Sequence, residues 1–410
     1  MGGQLQIVMR RPERLFELLP FLMCIFLLGF INTLGGAKFN NSVVAIIELL
    51  FCLCVMLFFR VPERLLYKAF VMLGLLAALL TLSNGAAAYQ EIGYADWRRV
   101  YQMLAHGAFL AAVACVFAGW RNAPYHAAVV FAVGAFAYFC IWLGAWYGLE
   151  DPFNYPWFNS PPLFLHIRHL GFFLAATSVV LAWAVLRYPG SSRMLFLVAL
   201  FISLSLLFWT GSRGSSISML AAVAFVALKF RGWKLLLLPA AVVSALWFSC
   251  HFEVAQASLG WLSALQRSGD AGSLNELSSN RGTIWMFLLP HMIERPLLGW
   301  GGEGFRALWT GFPVSQAENG FFQLMIEWGG LVTLLVFGVL ARILWKAMRQ
   351  YLSGCAEDGL VLGLGLALCM GILSLTDGVF YHGTPMAYLM LGIGICLSSL
   401  WAETPARVSS

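Results

Sequence analysis

Charge is scarce in this chain: only 11% of its 410 residues are Asp, Glu, Lys or Arg. Soluble globular proteins carry roughly 25%, so a water-facing surface built from ionic groups is excluded. Metal-like cysteine spacing is also missing. The nine cysteines, Cys24, Cys52, Cys54, Cys115, Cys140, Cys250, Cys355, Cys369 and Cys396, fall mostly inside apolar runs and read as small core hydrophobes, with no metal site expected. The glycine-rich run GWGGEGF lacks both a preceding strand and the third glycine of a dinucleotide fingerprint. No convincing internal repeat of the kind that marks many transporters is visible. No small-residue cleavage site follows the basic start and its apolar run, so that segment is expected to be the first membrane helix.

What the chain has instead is hydrophobic length, 60% of its residues being apolar. A hydrocarbon core of roughly 30 Å needs about 17–25 apolar residues of helix. Runs of that length occur near 17–33, 43–59, 65–83, 103–119, 125–148, 169–187, 193–210, 215–230, 234–250, 321–346, 358–376 and 385–402. The expectation is an all-α polytopic membrane protein of about twelve transmembrane helices. Residues 1–250 would hold nine of them, residues 251–319 one large outer loop with short surface helices, and residues 320–410 the last three helices and a tail.

Lys and Arg stay on the cytoplasmic side of short loops. With the N-terminus inside, sixteen of the 25 basic residues fall in inner segments, and four of the outer ones lie in the long loop, where the rule is weak. Both termini are therefore expected in the cytoplasm and the loop outside. The net charge of +6 follows from those inner segments and does not point to nucleic acid.

The outer segments carry the chemistry. Two of them, 84–102 and 149–168, are rich in aromatic residues and read as an interfacial aromatic belt or as stacking surfaces for sugars. Arg213 sits in the short outer turn WTGSRGSS with Ser212 beside it. A guanidinium fork matches phosphate oxygens there, against the topological bias. Arg281 heads RGTIWMFLLPHMIERP, a helix expected to lie on the membrane surface after caps at Ser278, Ser279 or Asn280. Its charge and the free N–H groups of that helix end would make an anion site. The glycines from Gly299 to Gly304 suggest a tight turn, a backbone approach to phosphate, or plain loop flexibility. Glu318 and Asn319 stand at the mouth of the tenth span, with Glu327 inside it. Glu318 is a candidate general base or a cap. His169, flanked by Arg168 in HIRHLG, and His382 in DGVFYHGTP are alternative bases.

In order along the chain, the arginine turn, NRGTIW…IERPLLGWGGEGF and ENGFFQLMIEWGG resemble the bacterial O-antigen ligase and polymerase superfamily. The family segment R-x-x-x-W…P-L-x-G-x-G…F is matched by Arg281, Trp285, Pro296, Leu297, Gly299, Gly301 and Phe305, and its later part by Asn319, Glu327 and Gly329. The resemblance implies a metal-independent inverting glycosyltransferase, needing no cofactor, in the bacterial inner membrane with its active face periplasmic. Its donor would be an undecaprenyl-pyrophosphate-linked glycan and its acceptor a sugar hydroxyl of lipid A–core in lipopolysaccharide biosynthesis. Arg213 and Arg281 would hold the pyrophosphate, with Ser212, Arg168 and Asn319 in support. At the position of the family's catalytic His this chain has Glu318, so the base is expected to be Glu318, His382 or His169. Polymerisation of O-units or exopolysaccharide, or glycosylation of proteins, would use the same plan. A flippase for lipid-linked sugars is the alternative of a different class.

Overall fold

A computed structural model describes residues 8–9, 37–89, 95–252, 254–255, 259–311, 314–354 and 357–402. The first expected span, 17–33, lies outside them. The other eleven coincide with helices. These are α1 (Ala37–Phe58), α2 (Glu63–Tyr89), α3 (Trp97–Gly119), α4 (Ala123–Gly148), α5 (Ile167–Arg187), α6 (Gly190–Trp209), α7 (Arg213–Ala227) and α8 (Leu237–Ser249), which follows a 3-10 turn. After the long loop come α13 (Gly320–Leu352), α14 (Asp358–Ser374) and α15 (Gly383–Ala402). Nine spans among the described residues are long and apolar enough to cross a bilayer, while α7 and α14 are shorter apolar helices. The chain is an all-α polytopic membrane protein. Val8–Met9 forms a two-residue antiparallel pair with Phe59–Arg60.

At the centre stands α5, where every residue from Leu170 to Leu186 is buried. It packs on α4, α6, α7, α14 and α15. In lipid, tight packing rather than water exclusion holds helices together, so small residues mark the closest crossings. Gly363 of α14 faces Gly392 of α15; a Cβ added at Gly363 would lie 2.9 Å from the Gly392 carbonyl oxygen.

The loop between α8 and α13 folds into short helices: α9 (Trp261–Gly269), α10 (Leu274–Leu277), α11 (Arg281–Glu294) and α12 (Gly304–Leu308). It has its own small core, in which Ile284, Leu288 and Met292 of α11 meet Trp300, Phe305, Ala317 and Ile326. The surface-helix expectation changes accordingly, because α11 buries one apolar face against protein. Its other face leaves Met286, Leu289 and Ile293 exposed, at the spacing of a helix lying against lipid. Asn280 occupies the N-cap position of α11, but in a left-handed conformation with no side-chain cap.

In the aromatic loop 149–168, Trp157 and Phe164 turn inward while Phe153 stays exposed. Trp157 is fully buried, stacks on Trp146 at 5.6 Å and meets Trp209 edge-on. Its indole N–H donates to the Pro152 carbonyl at 2.7 Å, the partner a buried Trp requires.

Candidate active site

The starts of α3, α5, α7, α13 and α15 gather at one end of the bundle, and the candidate residues lie there. Arg213 opens α7 after a turn made by Gly211 at φ +63° and by Thr210, whose hydroxyl accepts the Ser212 N–H at 3.1 Å. Ser212 holds the N-cap position, and its hydroxyl donates to Ser215 Oγ at 2.9 Å. Gly171 of α5 lets these two serines come close, since a Cβ there would be 2.9 Å from Ser215 Oγ.

From this turn the Arg213 guanidinium reaches across the loop. It donates to Ser268 Oγ of α9 at 3.0 Å and to Ser279 Oγ, just before α11, at 3.1 Å. Arg281 is the first residue of α11, and its positive charge bears on Arg213. A third cation, Arg267 of α9, donates to the Gly211 carbonyl at 3.5 Å. Burial, and then the Arg213 charge, hold the Arg267 guanidinium below its usual pKa. Like charges crowded in this way disfavour the ligand-free state and favour an anion.

Glu318 is the anion that the chain itself supplies. It is 4% exposed, and both its oxygens accept from Arg168 Nη1, at 2.9 and 3.0 Å. Arg281 Nε donates to it at 3.4 Å, and Gln316 Nε2 at 3.3 Å. The same Gln316 nitrogen donates to Asp377 at 3.2 Å, so two buried carboxyl groups share one amide. Burial first and the Asp377 charge second raise the Glu318 carboxyl above its usual pKa, while Arg168, Arg281 and Gln316 pull against that rise.

Behind Arg168 lie the histidines. The His169 and His382 rings meet edge to face at 4.4 Å. Burial, with His169 and then Arg99 adding to it, drives the His382 imidazole well below its ordinary pKa, so it is neutral at physiological pH. His166 caps α5 by accepting the Arg168 N–H through Nδ1 at 3.1 Å. Its imidazole is pushed down to about 3 by burial, then by Arg168 and His169.

Backbone strain marks the same place. Ser279, Asn280 and Glu318 have φ of +59°, +62° and +53°. Non-glycine residues hold left-handed conformations at a cost of about 1–2 kcal/mol each, so the surrounding structure enforces them.

The structure gives other candidates packing roles. Asn319 caps α13, its Oδ1 accepting the N–H groups of Phe321 and Phe322 at 2.9 and 3.1 Å, and its amide donates to the Leu375 carbonyl. Glu327 pairs with Arg99 of α3 at 3.2 Å, both fully within the protein. Arg99 also donates to the carbonyls of Tyr381 and Phe380. It thereby anchors the turn that carries His382.

The glycine run is explained by a contact within the protein. Gly299 and Gly329 press backbone on backbone: a Cβ on Gly299 would sit 2.6 Å from Gly329 N. The Trp300 N–H donates to Ile326 O and the Gly301 N–H to Glu327 O, both at 2.8 Å. Gly330 N–H and Leu331 N–H return bonds to the carbonyls of Pro296 and Leu297. The loop therefore satisfies the backbone groups opened by the break in α13 at Gly329, where φ is +69°.

The structure thus gathers Arg213, Arg281, Arg168, Glu318, His169 and His382 at one end of the bundle. Arg267 and Gln316 were not singled out as site residues from sequence, whereas Asp377 was noted beside His382 in the turn DGVFYHGTP. For Arg267, lying one position before the hydroxyl that Arg213 reaches, only its place in the outer loop was a hint.

Residues 197–337 match the family model described as O-antigen ligase. The match contains Arg213, Arg267, Arg281, Glu318 and Asn319, while Arg168, His169, Asp377 and His382 come from helices outside it. No curated protein matches the chain. Residues 197–337 thus resemble an O-antigen ligase domain, which supports the O-antigen ligase and polymerase superfamily for this membrane protein.

Proposed function

We propose that the chain is an O-antigen ligase-like glycosyltransferase that moves a glycan from undecaprenyl pyrophosphate to a sugar hydroxyl of lipid A–core. The supporting observation is that Arg168 and Arg281 meet at buried Glu318, with Arg213 held on Ser268 and Ser279 where the Arg281 charge bears on it, and Arg267 alongside. In this reading both termini lie in the cytoplasm and the arginine end faces the periplasm of the inner membrane.

The acceptor oxygen attacks the anomeric carbon from the face opposite the diphosphate. The bond from that carbon to the diphosphate oxygen breaks, and the pair of electrons leaves with the diphosphate, inverting the centre. Guanidinium groups stabilise the charge that develops on the leaving oxygens, which is where such donors act most strongly. They supply the positive charge that a divalent cation would otherwise bring, so transfer proceeds without added metal. The incoming diphosphate takes over the arginines that Glu318 neutralises in the free protein. Glu318, released from them, accepts the proton of the acceptor hydroxyl. His169 and His382 are the second choice of base, because their contact presents neutral imidazole beside the cluster. Polymerisation of glycan units and transfer to protein hydroxyls would use the same donor half of the site.

The test is transfer by purified protein in lipid nanodiscs, using a glycan on undecaprenyl pyrophosphate, lipid A–core, free glycan and a hydroxyl-bearing peptide as acceptors, with a chelator present. Arg213→Ala and Arg281→Ala should each lower turnover by about 100- to 1,000-fold while insertion is unchanged. Wild-type turnover in the double variant would refute the donor site. Glu318→Gln and His382→Gln choose the base, and product identity decides among the acceptors. Translocation of the lipid without transfer would support the flippase alternative.

A further inference from the structure

A groove of about 660 Å³ opens between α2, α3, α13 and α15, with Cys52, Val55 and Met56 of α1 on its edge. Such a volume suits a ligand rather than a packing defect. Its walls are apolar, formed by residues such as Leu73, Ala108, Ala111, Val339 and Met390. Three charged side chains line it, and all are cations: Lys68, Arg342 and Lys346.

Those three stand at one end of the groove. The start of α1 lies at the arginine end of the bundle, where Asn41 donates to the Tyr381 carbonyl. The end of α1 and the start of α2, with Lys68 five residues after Glu63, therefore lie at the opposite end. Helix α13 starts at the arginine end with Glu318 before it, so Arg342 and Lys346, close to its last residue Leu352, reach that same opposite end. No described acidic residue pairs with any of the three. The other end of the groove, at Met103 and Met386, is uncharged.

We propose that this groove is a binding site for an anionic diacyl phospholipid, its acyl chains against α2, α3 and α15 and its phosphate at Lys68, Arg342 and Lys346. Basic groups at the mouth of an apolar cleft between membrane helices match a negative headgroup and its chains together. In the orientation proposed above, the lipid comes from the cytoplasmic leaflet. A polyprenyl diphosphate donor fits less well, because its head belongs with the arginines at the far end of the bundle. The site is separate from glycan transfer and is tested without it.

The experiment is labelling of the full chain in nanodiscs by phosphatidylglycerol carrying a photoreactive acyl chain, competed with unlabelled phosphatidylglycerol, phosphatidylcholine or undecaprenyl phosphate. A photoreactive residue placed at Val339 reports the neighbour from the protein side. The expected result is labelling of peptides from α2, α3 and α15, competed by phosphatidylglycerol and not by phosphatidylcholine. Lys68→Gln, Arg342→Gln and Lys346→Gln together should weaken competition on the order of 100-fold, at about tenfold or less per charge. Ala108→Phe with Ala111→Phe fills the groove with the charges intact and should abolish labelling, which covers the case of a poorly folded charge variant. Equal competition by phosphatidylcholine would overturn the proposal in favour of ordinary surrounding lipid. So would preferential competition by undecaprenyl phosphate, or crosslinking from Val339 to residues 10–36 of the same chain.

Discussion

A methyl group added at Gly329 and one added at Gly338, nine residues further along the same helix, should have opposite effects. Gly329 has φ +69° and ψ −176°, a region that is nearly closed to other residues and costs them about 1–3 kcal/mol. Its Cβ would also fall on the Leu297 carbonyl and lie 2.5 Å from Leu298 N. Those are backbone atoms on both sides, so neither can swing away. To make room, the loop must leave the helix break, losing the four backbone bonds that link Trp300, Gly301, Gly330 and Leu331 to their partners. At about 1 kcal/mol each, the bonds and the strain together amount to roughly 5 kcal/mol. Gly338 has nothing within 4 Å of its would-be Cβ, and Ala is favoured over Gly inside a helix by about 1 kcal/mol. Thermal unfolding in one detergent at one scan rate should show Gly329→Ala lower by on the order of 10 °C and Gly338→Ala equal to or above the parent. The scan rate is held constant because such unfolding is often irreversible. If the two variants melt together, the loop does not close the break in α13 and the account of the glycine run is wrong.

Glu327→Ala leaves Arg99 buried without its carboxylate and should destabilise the fold by about 3–5 kcal/mol; a melting temperature equal to the parent's would contradict that pairing. Gly378→Ala puts a methyl group onto the side-chain amide of Gln316, which bridges Glu318 and Asp377. Transfer should fall at least tenfold with little change in melting, and full activity would show the bridge to be dispensable. Because burial and Asp377 raise the Glu318 pKa, a base at this position is protonated over a wider acid range than an ordinary glutamate. Turnover should therefore climb as pH rises through that displaced value, and Glu318→Gln should lose the acid limb together with the activity. An unchanged acid limb in residual Glu318→Gln turnover would assign it to another group.

The helices were legible because a bilayer imposes a length and an apolar content on each span, and these are properties of local sequence. The boundaries of α4 and α5 departed from the expected runs by only a few residues. Arg213 stood out because a cation in a turn expected outside opposes the topological bias, and Arg281 because it heads a helix whose free N–H groups favour an anion. By contrast, Trp157, which stacks on Trp146 and meets Trp209, was read as part of an interfacial belt or a sugar-stacking surface, since aromatic residues in a loop look alike whether they face lipid, sugar or one another. Asn319 as a cap and the glycine run as a brace were likewise hidden, because each depends on what backbone lies opposite.

Composition and periodicity alone determined that this is a helical membrane protein with one long polar loop, because each helix in lipid must satisfy its own backbone. Pairing was decided only by tertiary structure. Glu318 meets Arg168 across 150 residues and Arg281 across 37, and Arg99 meets Glu327 across 228. In a low-dielectric interior a charge is tolerated only where packing delivers its counter-charge, and the order of residues along a chain does not record which helices will stand side by side.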